Sequence, residues 1–196
     1  MIDNTTYDET KVLEILKDTG AFLTGHFLLS SGLHSDTYIQ CAKGLKYPEY
    51  AEFFGKLIAK KIKVKVDYVV SPALGGIIIG YEVARALKVP FLFTERDEKG
   101  NMSLRRDQVI INNSKILIVE DVITTGKSTL EVTKLVESSG GVVTSIACIV
   151  NRSSKKVLES REIISLVNIK AATYSLEKCP LCFQGLELVK PGSRKQ

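Results

Sequence analysis

The segment Ile116-Leu117-Ile118-Val119-Glu120-Asp121-Val122-Ile123-Thr124-Thr125-Gly126-Lys127-Ser128-Thr129 constrains the fold more than any other stretch of this chain. Its apolar run suits a strand buried on both faces, as strands of parallel sheets are. Two carboxylates end that run, and a loop rich in hydroxyls then enters a helix. In open α/β sheets, ligands bind beyond the carboxyl ends of the strands, where such a loop lies. The first N–H groups of the helix lack internal partners and carry partial positive charge, so they suit a phosphate. Gly126 lets the backbone close round the anion, and the Thr and Ser hydroxyls add donors. Gly126-Lys127-Ser128 does not end a Walker A loop, because Asp121 stands where that motif needs its first glycine. Two carboxylates there would repel a triphosphate, yet they accept the adjacent hydroxyls of a ribose. The segment predicts a monophosphate cup beside a sugar cradle.

The flanking pattern agrees with an α/β chain. Residues 66–70, 89–93, 116–119 and 142–150 read as strands. Between them lie helical stretches at 75–87 and 127–139, which argues for a mostly parallel central sheet flanked by helices. The segment 48–62 is amphipathic, with Tyr50, Phe53, Phe54, Leu57, Ile58 and Ile62 on one face and Pro48 in its first turn. Thr6 and Glu9 have capping-box spacing ahead of a short helix that Gly20 stops. Residues 37–41 read as a short strand. Residues 94–107 break the alternation: they are polar, contain Gly100 and hold Arg96, Lys99, Arg105 and Arg106. Residues 191–196 read as a frayed tail. The organisation is one domain with three parts: 1–45, an N-terminal helix and hood; 46–175, the α/β core; and 176–196, a Cys-x-x-Cys tail.

Charge and hydropathy narrow the classes. The net charge of +5 is spread without a run of five or more basic residues, so it fits phosphate substrates better than a nucleic-acid arm. The N-terminus has no signal-like apolar stretch, and the apolar run at 73–81 is too short to span a bilayer. A soluble, cytoplasmic protein with no membrane partner is expected.

The segment at 116–129 resembles the motif with which type I phosphoribosyltransferases bind phosphoribosyl pyrophosphate (PRPP): a hydrophobic strand, two acids, then T-x-G-x-S/T. The resemblance implies that Glu120 and Asp121 hold the ribose hydroxyls. It places Val122, Ile123, Thr124, Thr125, Gly126, Lys127 and Ser128 in the same PRPP site, with 124–128 on the 5-phosphate. A second segment, from Gly25 to Ile39, is similar to the G-x-F-x-L-x-S-G-x-x-S-x-x-Y hood of orotate phosphoribosyltransferases. On that likeness Tyr38 and Ile39 lie against a flat pyrimidine, Thr124 lies near it, and Arg152 pairs with the orotate carboxylate. A guanidinium offers a planar fork to a planar carboxylate, so the chemistry agrees.

The family implies transfer of the 5-phosphoribosyl group from PRPP to orotate, giving orotidine 5′-phosphate and pyrophosphate in pyrimidine biosynthesis. It also implies Mg²⁺ carried mainly on PRPP, with no dedicated protein metal site, and a homodimer. Two departures stand out: Pro72-Ala73-Leu74-Gly75-Gly76 lacks a family lysine, and Ser30 stands where another is common. Compensating cations are then expected from loop 94–107, with Arg96, Lys99 and Arg105 in catalytic roles and the loop shared across subunits. Other classes compatible with the fold are a purine or xanthine transferase and a PRPP-sensing regulator that binds nucleic acid. The hood and Arg152 argue against the first, and the lack of a basic stripe against the second.

His26 and His34 read as structural residues, His34 also being a candidate for ligand contact. Cys41 and Cys148 read as small buried hydrophobes. Cys179-Pro180-Leu181-Cys182 has metal-knuckle spacing, but a tetrahedral site needs two further ligands. The expectation is a cysteine turn without metal.

Overall fold

A computed structural model describes residues 4–29, 31–153 and 155–191. Ser30 and the end of the expected frayed tail, residues 192–196, lie outside them. Seven strands form the central sheet: β3 (Tyr68–Pro72), β4 (Phe91–Arg96), β5 (Met102–Leu104), β6 (Lys115–Ile123), β7 (Val142–Asn151), β8 (Val157–Leu158) and β9 (Arg161–Asn168). Their order is β5-β4-β3-β6-β7-β9-β8. The five inner strands run parallel, and the short edge strands β5 and β8 are antiparallel. Short edges give other chains little to pair with.

Period-two alternation divides the strand residues between two cores. Val69, Leu117, Val119, Ala147 and Ile149 face one side, where they meet α1 (Asn4–Asp18), α3 (Pro48–Lys61) and α4 (Gly75–Leu87). Val70, Ile116, Ile118, Ile146 and Cys148 face the other and meet Val132 and Val136 of α5 (Lys127–Ser138). The helical face read at 48–62 is realised: Phe54, Leu57 and Ile58 are buried, with Tyr50, Phe53 and Ile62 packed against them.

A smaller antiparallel sheet, the hood, consists of β1 (Phe22–Leu28), β2 (His34–Ile39) and β10 (Thr173–Tyr174) in the order β1-β2-β10. The one-turn helix α2 (Ala42–Leu45) links it to α3. The chain ends with a 3₁₀ turn at Leu176–Lys178, the one-turn α6 (Pro180–Phe183) and a bridge between Phe27 and Val189. Among the described residues no helix is long and apolar enough to cross a membrane.

Three expectations need correction. The first helix starts at Asn4, so Thr6 lies inside it and does not cap it. Residues 94–107 are not an open loop. Thr94, Glu95 and Arg96 pair with Leu104, Ser103 and Met102, and Gly100, at a φ of 83°, turns the hairpin. Polar composition concealed this strand, because an edge strand with a wet face needs few apolar residues. The strands at 66–70 and 89–93 are displaced toward the C-terminus, to Tyr68–Pro72 and Phe91–Arg96.

The helix–sheet contact that fixes α4 is very close. A Cβ on Gly80 would lie 2.0 Å from Ser71 Oγ and 2.6 Å from Phe91 Cε2. Overpacking of this kind typically costs about 1–3 kcal/mol. Gly80→Ala is expected to lower unfolding stability by that amount in urea denaturation, despite alanine's better helix propensity. An unchanged midpoint would disprove the proposed tight approach.

Candidate active site

The strand order reverses between β3 and β6. From β3 the chain crosses through α4 to β4 on one side, whereas β6, on the other side of β3, leads on to β7. Their C-terminal loops diverge at this point, which is where open sheets bind ligands. Ser71-Pro72 and the Gly75-Gly76 turn come from β3; Glu120, Asp121 and the following loop come from β6.

The two loops touch. A Cβ on Gly75 would stand 2.7 Å from Asp121 Oδ1, and one on Gly76 would stand 3.0 Å from the Val119 carbonyl oxygen. Glycine at both positions lets the α4 N-terminus lie directly against the acids. The structure therefore supplies main-chain N–H groups where a lysine was missing from the sequence pattern. The Ala73–Leu74 peptide in this turn is cis.

Glu120 is buried and Asp121 half-buried. Burial, and then the neighbouring charge of Asp121, pushes the Glu120 carboxyl up to about 8. Burial also raises Asp121, opposed by backbone N–H groups that favour its charged form. Glu120 thus keeps its proton at neutral pH and can donate as well as accept.

Beyond the acids, Val122 and Ile123 continue β6. The Ile123 side chain is core, and its carbonyl accepts the Arg152 N–H at 2.8 Å. Neither of the two offers a polar side chain to a ligand. Thr124 and Thr125 are exposed, and Gly126 caps α5 at φ 80° and ψ 8°. A side chain at Gly126 would be strained there and would meet Leu158 at 3.1 Å. No side chain caps α5; Thr125 Oγ1 accepts only the Lys127 N–H, at 3.3 Å. The Lys127 amine is exposed, 4.0 Å from Glu131. Ser128 is half-buried in the first turn.

Arg152 follows β7. Its Nε is buried and has no hydrogen-bond partner among the described residues. Burial lowers its pKa, while the charges of Asp36 and Tyr38 in the hood act to raise it. Hood and core therefore meet at this guanidinium. Tyr38 is half-buried, its ring 5.7 Å from that of Phe27. Ile39 is part of the main core, so only its backbone could meet a ligand.

The four cations of the hairpin are not equivalent. Arg96 Nη2 donates to Glu131 of α5 at 2.7 Å, and its Nη1 donates to the Gly100 carbonyl at 2.6 Å. Arg106 pairs with Glu95 at 3.2 Å. Lys99 and Arg105 are exposed and form no ion pair among the described residues. The sequence grouped all four because it could not show the carboxylates that take two of them. It also missed Gly75 against Asp121 and the hood charges beside Arg152, contacts between distant segments that leave no local pattern. A separate cavity of about 610 Å³ lies beside β9, lined by Lys61, Lys63, Lys155 and Lys170 among others, and does not include Glu120 or Asp121.

The raised Glu120 pKa has a stability consequence. An acid with a raised folded-state pKa binds more protons folded than unfolded. Stability therefore falls as pH climbs from 4.5, the ordinary value, to about 8, and levels off beyond. Glu120→Gln is neutral throughout. Its Tm should match wild type at the acid end of this window and exceed it increasingly toward the alkaline end. A pH-independent difference in paired thermal melts would show that Glu120 does not titrate in this way.

Comparisons place this geometry in a family. Residues 47–178 match the family model described as Phosphoribosyl transferase domain. The chain is 49% identical over 189 residues to "Orotate phosphoribosyltransferase" of Caldanaerobacter subterraneus subsp. tengcongensis, covering 96% of this chain and 99% of that protein. It is 50% identical, with the same coverages, to the protein of that name from Thermoanaerobacter sp. strain X514. Among solved structures, orotate phosphoribosyltransferase from Aeropyrum pernix superposes with a TM-score of 0.69 at 24% identity. That match covers 81% of this chain and 94% of the other, and it supports the fold. With its α/β sheet, its paired acids and these relatives, the chain belongs to the orotate phosphoribosyltransferase family.

Proposed function

We propose that the protein transfers the 5-phosphoribosyl group of PRPP to a ring nitrogen of orotate, releasing pyrophosphate. The observation that carries the choice of base is the buried Arg152 Nε, which has no hydrogen-bond partner among the described residues and sits under the influence of hood residues Asp36 and Tyr38. A buried unpaired donor is costly, and a planar carboxylate would satisfy it.

In this reading the 5-phosphate takes the uncapped N–H groups at the start of α5, together with Thr124, Thr125 and Ser128. The ribose hydroxyls lie against Glu120 and Asp121, with a protonated Glu120 able to donate to one of their oxygens. Pyrophosphate leaves toward the Gly75-Gly76 turn. The centre at C1 develops oxocarbenium character, so the protein contributes by orienting reactants and stabilising leaving-group charge. Mg²⁺ brought with PRPP would supply further charge compensation. A cytoplasmic role in pyrimidine biosynthesis follows from the same reaction.

Lys99 and Arg105 are the hairpin cations with charge to spare, and they are the proposed pyrophosphate contacts. We place them in the neighbouring site of a homodimer, because Arg96 ties the turn end of their hairpin to α5 of its own chain, whereas Lys99 and Arg105 form no ion pair among the described residues.

Product formation from PRPP, Mg²⁺ and a panel of bases should favour orotate far over uracil, hypoxanthine and xanthine. Preference for a purine would refute the base assignment. Arg152→Ala should raise the orotate KM well above any rise in the PRPP KM, by a factor that corresponds to about 1.5–3 kcal/mol for a charged hydrogen bond. Equal rises would remove its assigned role. Hybrid dimers of Arg105→Ala and Asp121→Asn chains should recover activity that neither homodimer has. Verified hybrids without recovery would confine the hairpin to its own subunit.

A further inference from the structure

The hood and the C-terminal tail meet at four side chains outside the active site: His26 of β1, His34 of β2, and Cys179 and Cys182 of the tail. Each offers one ligand atom, and the four atoms lie within 4.8 Å of one another. His26 Nε2 is 2.7 Å from His34 Nδ1 and 3.5 Å from Cys179 Sγ. Cys182 Sγ is 3.3 Å from His34 Nδ1 and 3.7 Å from His26 Nε2. His26, His34 and Cys179 are buried, Cys182 is half-buried, and all the cysteines are free thiols.

We propose that these residues form a structural Cys₂His₂ site for one zinc ion, which fastens the tail to the hood. Zn–N bonds of about 2.0–2.1 Å and Zn–S bonds of about 2.3 Å give tetrahedral edges of about 3.6 Å between nitrogen and sulfur and about 3.3 Å between nitrogens. The three N···S separations, 3.3, 3.5 and 3.7 Å, fall around the first value. The two nitrogens, 2.7 Å apart, would separate by about 0.6 Å around the ion.

The shell behind the ligands supports the same assignment. His26 Nδ1 lies 2.9 Å from the Leu186 carbonyl oxygen. That oxygen can only accept, so Nδ1 carries a proton and Nε2 faces the cluster. Metal-ligating histidines commonly have their other nitrogen held in this way. Among the described residues, the four candidate ligand atoms have hydrogen-bond partners only within the cluster.

Backbone geometry brings the ligands together without a helix. Leu28 pairs with His34 across the hood, and His26 lies in the irregularity of β1 between Thr24 and Phe27, with its ring centroid 4.8 Å from that of His34. Cys179 and Cys182 bracket Pro180 in the turn that starts α6. The tail pairs back through Val189, whose N–H donates to the His26 carbonyl and whose carbonyl accepts the Leu28 N–H.

The tail has little else to hold it. Leu176, Phe183, Leu186, Leu188 and Val189 are exposed, and Cys179 is its only fully buried hydrophobic residue among those described. A segment with so little apolar burial needs a cross-link to stay ordered. All four residues lie outside the matched transferase domain, residues 47–178. A structural role separate from the chemistry fits that position.

The test uses the full chain without a polyhistidine tag. Elemental analysis of the purified, reduced protein should find about one zinc per chain. After removal of zinc by a chelator, Tm should fall and amide exchange should rise across residues 176–189. Titrating Co²⁺ into the stripped protein should give the visible bands of a tetrahedral ion and a near-ultraviolet thiolate band, ending near one equivalent. Cys182→Ser and His34→Asn should lose the metal, whereas Asp121→Asn should keep it. The proposal is overturned by metal-free protein that shows no thiolate band with Co²⁺. It is equally overturned if Cys182→Ser and His34→Asn retain full zinc. Neither readout depends on transferase activity, so either result leaves the base assignment to its own test.

Discussion

Everything at the site depends on two adjacent carboxyls placed at the buried end of β6. Removing a carboxylate from water is costly, and the protein answers by keeping Glu120 protonated up to about 8. Asp121 is accommodated differently: backbone N–H groups favour its charge, and Gly75 brings the α4 N-terminus against it. The pair is therefore one donor and one acceptor rather than a dianion. That arrangement matches sugar hydroxyls, which both give and take hydrogen bonds. It also accounts for the adjoining glycines, since a side chain at residue 75 would occupy the space of the Asp121 carboxylate.

The two faces of the sheet meet the site through different contacts. On one side α4 is drawn down by Gly80 over Ser71, which sets where the Gly75-Gly76 turn can lie. On the other, α5 holds its uncapped N-terminus at the loop while its Glu131 receives Arg96 from the edge hairpin. An exposed ion pair contributes little stability by itself. Its value here is positional, since it fixes the turn end of the hairpin against α5 and leaves Lys99 and Arg105 without an ion pair among the described residues.

Much of this was legible in sequence, and the failures have physical causes. The β6 segment was readable because strand, acids, loop glycine and helix start are contiguous, so each needs only local information. The face of α3 was readable because its period is local too. The hairpin at 94–107 was not, since an exposed edge strand carries no apolar run to announce it. The separate roles of its cations were hidden as well, because Glu131 lies far along the chain from Arg96. The surroundings of the cysteine turn were hidden for the same reason: Cys179-x-x-Cys182 was visible, but its neighbours His26 and His34 stand about 150 residues earlier. The chain has only two histidines, and both converge on one cysteine pair; that coincidence was the signal available.

The hood connects that cluster to the candidate active site. On β2, Ser35, Thr37 and Ile39 are buried on one side, so His34, Asp36 and Tyr38 share the other. The strand that presents His34 to the cysteines thus presents, on the same face, the two groups whose charges act on Arg152. β10 adds only two residues of pairing, and the tail adds one bridge. A three-stranded sheet this small is marginal without support from outside its own ladder. Part of that support comes from Ile39 in the main core, which anchors the far end of β2. The near end has the His–Cys cluster instead. Between these two anchors, Asp36 and Tyr38 act on a guanidinium that belongs to a different element.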